Sequence, residues 1–252
     1  MTADQYLQNI LAREAVDVSA TSPVLKVQSV IYPIVTAWAG TTFRAMQPSG
    51  SFMKGTANRS GTDIDLFISL SSQTTETLKD IYAKLSKRMQ EKGFNPKQQN
   101  VSINVKVSGY DVDLVPAKHQ GGNNEDHSLY RRRADTWTKT NVATHINTVR
   151  AGGRIAESRI LKLWRDQKRL DFPSFYLELA TIAGLAGARG TVSQNVWVMF
   201  QYLRDTFPNA RIVDPANTNN VISDDMSAGQ RASIKAAAAT ALQAKDWSQI
   251  LV

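Results

Sequence analysis

Apolar positions along this chain fall into two spacings, and the change from one to the other marks its organisation. Over Ala3 to Thr36 they recur three and four apart: Leu7, Ile10, Leu11 and Val16, then Val24, Val27, Val30, Ile31, Ile34 and Val35. That pattern predicts two helices broken near Ser22 and Pro23. Thr41 to Met46, rich in Thr, Phe and Arg, predicts a short strand running into a turn at Pro48, Ser49, Gly50 and Ser51. From Thr62 the run Asp63, Ile64, Asp65, Leu66, Phe67, Ile68 predicts a second strand, and Thr75 to Lys92 a helix with Leu78, Ile81, Leu85 and Met89 on one face. Val101 to Val107 and Asp111 to Val115 alternate on either side of Ser108-Gly109, as a hairpin or bent strand pair does.

After Pro116 the character shifts. Gly121, Gly122, Asn123 and Asn124 compose a loop, and strand signals largely give way to helical periods at Ala143 to Val149, Ile155 to Arg169, Pro173 to Ala186 and Val192 to Phe207. A polar loop from Asp214 to Asp225 precedes an Ala-rich helix, Ala228 to Lys245, with Ser227 as its N-cap. The expected division is therefore an α+β lobe over residues 1–140 and a helical lobe over 141–252, without internal repeats.

Composition narrows the class. A length of 252 residues allows one large domain or two closely packed ones. With 42% hydrophobic residues, disorder and collagen-like order are excluded. Thirty Lys and Arg against 22 Asp and Glu leave a net +8, which suits a polyanionic partner, whether nucleic acid, nucleotide triphosphates or an acidic membrane surface. The absence of cysteine removes disulfides, thiolate nucleophiles and sulfur-bound zinc. His119, His127 and His145 form no His-x-x-x-His pair and read as hydrogen-bonded or solvated side chains rather than metal ligands. Met1 to Ile10 lacks a secretory pattern, and no apolar run approaches the roughly 18 residues of a membrane span. The expected compartment is the cytoplasm, with no membrane partner.

The chemistry gathers in three places: Gly50-Ser51, Asp63-Ile64-Asp65, and Asp113 within Asp111-Val112-Asp113-Leu114-Val115-Pro116. Residues two apart on a strand share a face about 6 to 7 Å apart, so Asp63 and Asp65 stand side by side. Such carboxylates suit two divalent ions roughly 3.5 to 4 Å apart. Asp113 on a neighbouring strand supplies a third carboxylate, with Asp111 on the same face as the fallback. Three clustered acids raise one another's pKa unless cations are present. Gly50 permits close backbone approach to phosphate, and Ser51 offers hydroxyl and amide donors. There is no Gly-Lys-Ser/Thr, so this is not a P-loop. Apart from it, Arg131-Arg132-Arg133 forms a basic patch that could touch RNA or DNA.

Gly-Ser-Phe-Met-Lys-Gly-Thr followed by Gly-Thr-Asp-Ile-Asp-Leu-Phe resembles the signature of the polymerase β-like nucleotidyltransferase superfamily, and Asp-Leu-Val-Pro-Ala its third-carboxylate strand. Arg159 to Trp164, Phe172 to Glu178, the segment Ile212 to Val221, and Thr140-Asn141 with His145 are similar to oligoadenylate synthetases, archaeal-type CCA-adding enzymes and bacterial cyclic-oligonucleotide synthases (CD-NTases) related to cyclic GMP-AMP synthase. The resemblance spans about Val27 to Lys245. It implies an α+β, two-lobed nucleotidyltransferase with a mixed or antiparallel palm-like sheet, a C-terminal helical lobe and the active site in the cleft between them. By the same resemblance, Asp63, Asp65 and Asp113 bind two Mg²⁺ ions, with Mn²⁺ as a possible substitute. Gly50 and Ser51 hold the triphosphate, Lys162 its β and γ phosphates and Ser174 the donor nucleotide's phosphates, with Phe175 or Tyr176 near the base. The implied reaction joins NTPs, ATP or GTP among them, with release of pyrophosphate. It would give a cyclic di- or trinucleotide that serves as a second messenger in antiviral defence. The alternatives are nucleotide addition to an RNA or transfer-RNA end, of the CCA or toxin type, and linear oligoadenylate synthesis. The zinc insertion of the vertebrate DNA sensor is absent from the sequence.

Overall fold

A computed structural model of the chain describes every residue except Thr62. Its elements in order are α1 (Ala3–Arg13), α2 (Pro23–Ala39), β1 (Phe43–Pro48), α3 (Gly50–Lys54), β2 (Ile64–Leu70), α4 (Leu78–Glu91), β3 (Lys97–Gln98), β4 (Ile103–Val107), β5 (Tyr110–His119), β6 (His127–Arg131), β7 (Thr136–Thr140), α5 (Val142–Ala151), α6 (Ile155–Gln167), α7 (Ser174–Gly184), α8 (Val192–Asp205), β8 (Val213–Asp214), β9 (Asn217–Val221) and α9 (Ala228–Ala241). The fold class is α+β, with a mixed sheet, as expected.

Two compact units divide the chain. One comprises Asp17–Met53 and Asp63–Ile146, the other Met1–Val16, Lys54–Thr62 and Asn147–Val252. A single cut after residue 140 would assign α1 and the segment from Lys54 to the sheet-bearing half. Instead Leu7, Ile10 and Leu11 of α1 are buried in one core with Trp164, Tyr176 and Phe200 of the later helices. Apolar burial decides the grouping, and it need not follow sequence order.

The sheet-bearing unit runs β1-β2-β5-β4-β3, with β6 pairing β5 and β7 pairing β6. Its central pair, β2 and β5, is parallel, whereas the other pairings are antiparallel. Alternation on β2 separates two faces. Ile64, Leu66, Ile68 and Leu70 enter a core with Val27, Ile31 and Val35 of α2 and Ile81, Leu85 and Met89 of α4. Asp65, Phe67 and Ser69 point the other way. The β4-β5 hairpin closes at Ser108 and Gly109, both with positive φ (49° and 87°), so that Val107 faces Tyr110. Those signs at both turn positions match the twist of the flanking strands.

Three local expectations change. The turn through Gly50 and Ser51 begins the short helix α3. The strand expected from Thr62 begins at Ile64, and Thr62 itself lies outside the described residues. Strands also continue past Pro116: β6 and β7 form a hairpin at residues 127–140 and place Arg131 at a strand end, with Arg132 and Arg133 in a 3₁₀ turn. Residues 213–221 carry another small hairpin. β7 and β9 bury few side chains, and β6 buries His127 with Leu129 and Tyr130, so none of them has the apolar run that announces β2.

The helical unit packs α6, α7 and α8 around a core that includes Leu161, Trp164, Tyr176, Leu177, Met199, Phe200 and Phe207, each fully or almost fully buried. Ser227 caps α9 as expected, its hydroxyl accepting from the Gln230 amide while the Gln230 side chain returns to the Ser227 amide.

Candidate functional site

The acid cluster is built by strand register. In the parallel pair, Asp65 of β2 sits directly beside Asp113 of β5, and neighbouring strands lie about 4.8 Å apart, so both carboxylates leave the same face. Asp63 precedes Ile64 and is exposed, while Asp65 and Asp113 are half-buried. On the antiparallel side, Asn104 of β4 faces Asp113. Its Nδ2 donates to Asp113 Oδ1 at 2.9 Å, and Ser102 Oγ lies 3.2 Å from Oδ2. Asp113 is thus held in one orientation from the side opposite Asp65. Asp111, the fallback, is exposed and 3.8 Å from Lys106 Nζ.

Electrostatically, Asp63 and Asp113 are under-compensated. Although Asp63 is exposed as a residue, partial desolvation of its carboxyl raises it above its ordinary range, and the charges of Asp113 and Asp111 raise it further. For Asp113, burial again raises the carboxyl. Its bonds from Asn104 and Ser102 pull the other way without reversing the shift, and Asp111 adds to the rise. Carboxylates raised by one another are the state that a bound cation relieves.

Gly50 is the second part. The Ser49 amide donates to the Asp65 carbonyl at 2.9 Å, which pins the end of β1 against the start of β2. Gly50 follows with φ +56°, and a Cβ placed there would lie 1.7 Å from Asp65 Oδ2. No L side chain fits beside that carboxylate, so glycine is required both for its backbone angle and for its missing side chain. Ser51 follows in α3 and is half-buried. The structure therefore brings together Gly50, Ser51, Asp63, Asp65 and Asp113 within the sheet-bearing unit.

Residues that the resemblance assigns to phosphate and base lie in the helical unit, where they form a cluster of their own. Lys162 on α6 is 4% exposed. Its ammonium reaches Glu178 Oε1 at 2.5 Å, Thr56 Oγ1 at 3.0 Å and the Thr56 carbonyl at 3.3 Å, so its three protons all have partners. Lys54 takes the other carboxylate oxygen at 2.6 Å, and Thr56 also donates to Glu178. Burial pulls Lys162 below its ordinary value despite the attraction of Glu178. Glu178 ends below its own: burial opposes ionisation, but the two lysines together outweigh it. Ser174 begins α7 and accepts from Arg165 Nη1 at 2.8 Å, which leaves its hydroxyl proton to donate. The Lys54 ammonium stands 4.8 Å from the Phe175 ring centroid and occupies one ring face. Tyr176 is fully buried in the core, and that burial pushes its hydroxyl up to about 12.

Sequence reasoning passes over Asn104, Ser102, Lys54, Thr56 and Glu178. Counting back across the two-residue turn at Ser108-Gly109 would have placed Asn104 opposite Asp113. No comparable signal pairs Lys54 with Glu178, 124 positions apart. His119 and His127 are buried and hydrogen-bonded, to the Asn124 carbonyl and to Ser69 and the Glu125 carbonyl respectively. Among the described residues, no group of three or more His, Cys, Asp or Glu side chains is already drawn in as a metal cage. The acids nevertheless suit hard divalent cations by donor type, by shared face and by their raised carboxyls.

No protein-family model matches the chain. A curated relative, the cyclic AMP-AMP-AMP synthase of Escherichia coli (strain MS 115-1), is 27% identical over 208 residues, or 73% of this chain. The chain spans 65% of that relative's length. Among solved structures, CdnC of E. coli MS115-1 with ATP superposes with a TM-score of 0.76 at 21% identity, covering 95% of this chain and 90% of that one. The CD-NTase CdnG of Bradyrhizobium diazoefficiens in complex with GTP gives 0.75 at 11% identity, covering 96% and 91%. Among the described residues, no helix is long and apolar enough to cross a membrane. The chain therefore has the fold of these CD-NTase structures.

Proposed function

We propose that the protein is a nucleotidyltransferase that joins nucleoside triphosphates into a cyclic di- or trinucleotide and releases pyrophosphate. One observation carries this reading. Asp65 and Asp113 stand in register on adjacent strands, Asp63 is beside them, and Gly50 is held against the Asp65 carboxylate where no side chain fits. The curated relative's name, a cyclic trinucleotide synthase, supports the choice of product class.

Each residue then has a task. Asp63, Asp65 and Asp113 would hold two Mg²⁺ ions, and Asn104 fixes the Asp113 carboxylate through Oδ1. When bound, such ions neutralise triphosphate charge and lower the pKa of the attacking hydroxyl. Gly50 brings backbone close to phosphate, and Ser51 contributes a hydroxyl and an amide as donors. Ser174 donates its hydroxyl proton to donor-nucleotide phosphate while Arg165 holds the oxygen. Lys162 reaches a β or γ phosphate by exchanging its bond to Glu178, which keeps Lys54 as its counter-ion. Phe175 would lie near the base, where an aromatic ring offers a stacking surface. A role in antiviral signalling follows from the product class and forms the outer part of the proposal.

Incubation with four labelled NTPs and Mg²⁺, followed by phosphatase treatment and mass spectrometry, tests the reaction. A phosphatase-resistant cyclic product with stoichiometric pyrophosphate is expected. Product that remains attached to added RNA would instead support end addition, and a phosphatase-sensitive product a linear oligonucleotide.

A further inference from the structure

A cavity of about 470 Å³ opens on the sheet face opposite the acids. Leu70 lines it, and Leu70 alternates with Asp65 on β2, sharing its face with Ile64, Leu66 and Ile68 under α2 and α4. Any ligand there is separated from the acid cluster by the sheet itself. The volume falls within the range of about 300 to 1,000 Å³ of small-molecule sites.

The walls carry three kinds of chemistry. Trp38, near the end of α2, contributes a half-exposed indole. One stripe of α4 contributes Lys84, Lys87 and Arg88, of which Lys84 is paired with Glu76 and Arg88 Nη1 lies 3.7 Å from Glu91. Lys87 is exposed and has no ion-pair partner among the described residues. Two buried polar atoms in the same wall lack any hydrogen-bond partner: Thr74 Oγ1, on a side chain only 4% exposed, and Arg88 Nε. Buried polar atoms nearly always have partners, and these two belong to residues that line the same cavity, which marks it as a place that a ligand completes.

From this we propose that the cavity is a second, non-catalytic nucleotide site that takes a nucleoside monophosphate. The phosphate pairs with Arg88, Lys87 and the Thr74 hydroxyl, and the base lies on Trp38. The Trp38 indole explains why a simple inorganic anion is a poorer fit, since only a ligand with a base can stack on it. The inference stands on this cavity alone and does not depend on the reaction proposed above.

Equilibrium dialysis of the full chain against labelled AMP and GMP in EDTA tests it, with inorganic phosphate as a competitor. Wild type is expected to bind one equivalent of at least one of the two, with phosphate competing weakly. Arg88→Gln and Thr74→Val each weaken binding by about tenfold, the equivalent of one charge-assisted hydrogen bond. A double variant Asp63→Asn with Asp65→Asn binds as wild type does. Thr74→Val also separates ligand binding from folding, because removing an unpartnered buried hydroxyl leaves the unfolding temperature unchanged or higher while affinity falls. No saturable binding by wild type would overturn the proposal. So would affinities untouched by Arg88→Gln and Thr74→Val, or binding lost only in the double aspartate variant.

Discussion

Two charged clusters in this molecule are solved in opposite ways. On the sheet, Asp65 and Asp113 share a face with Asp63 just before it, Asp63 and Asp113 have their carboxyls raised by desolvation and by neighbouring acids, and Asn104 and Ser102 donate to Asp113. In the helical unit, Lys54 and Lys162 divide the two oxygens of one buried glutamate, and Thr56 fills the remaining hydrogen bonds. The lysine cluster is satisfied by the chain itself. Asp63 and Asp113 instead keep raised carboxyls, a pattern that clusters at functional sites. The difference separates a site that waits for a ligand from one whose first task is to hold α6, α7 and the 54–58 segment together.

Substitution should split the two clusters by what is lost. Asp65→Asn is expected to lower nucleotidyl transfer by at least about 1,000-fold, on the order of 4 kcal/mol of transition-state stabilisation. Its unfolding temperature should stay level or rise, because a like charge has been removed; turnover and thermal melts on one preparation read both. Glu178→Gln should do the reverse first, costing about 3 to 5 kcal/mol of stability by leaving two buried ammonium groups without their counter-ion. Denaturant unfolding measures that loss, and a variant as stable as wild type would erase the contrast.

Gly50→Ala sharpens the comparison from the acid side. The added Cβ displaces the Asp65 carboxylate, and a misplacement of about 1 Å costs about 100-fold in rate. The expected loss is in kcat with a smaller change in KM, and rates equal to wild type would show that Gly50 does not position the acid.

The smallest effect is a pH dependence. Glu178 is held below its ordinary 4.5 in the folded state, so its ionised form stabilises the fold. That contribution is complete above about pH 4.5 and is lost as pH falls through the lowered value. Wild type should therefore lose stability more steeply than Glu178→Gln on acidification below that point. Parallel curves would assign no such role to the glutamate.

The acid cluster was legible in the sequence because its parts are strand-local. Alternation on β2 and a two-residue turn fix face and register for Asp65 and Asp113, so these could be gathered from the sequence, whereas Asp63, expected on the strand, lies just before it. Gly50 was legible as a glycine needed for close approach, but its neighbour was not: the approach that shows most clearly in the structure is to Asp65 itself. The lysine cluster was illegible for a physical reason. Lys54, Thr56, Lys162 and Glu178 meet through tertiary packing of separate elements, and a buried lysine on an amphipathic helix has the same sequence pattern as one facing solvent. The β6-β7 hairpin was missed because His-Ser-Leu-Tyr-Arg and Thr-Trp-Thr-Lys-Thr are mostly polar, and their order comes from pairing, β6 with β5 and β7 with β6, rather than from an apolar run of their own.

Electron paramagnetic resonance titration with Mn²⁺ in the presence of ATP tests the contrast most directly, since it reads cation binding independently of turnover. The wild-type chain should bind two ions per molecule. Asp65→Asn should lose at least one of them, and Glu178→Gln, at a temperature where it remains folded, should retain both. Equal Mn²⁺ binding by wild type and Asp65→Asn would contradict the claim that the under-compensated acids form the cation site.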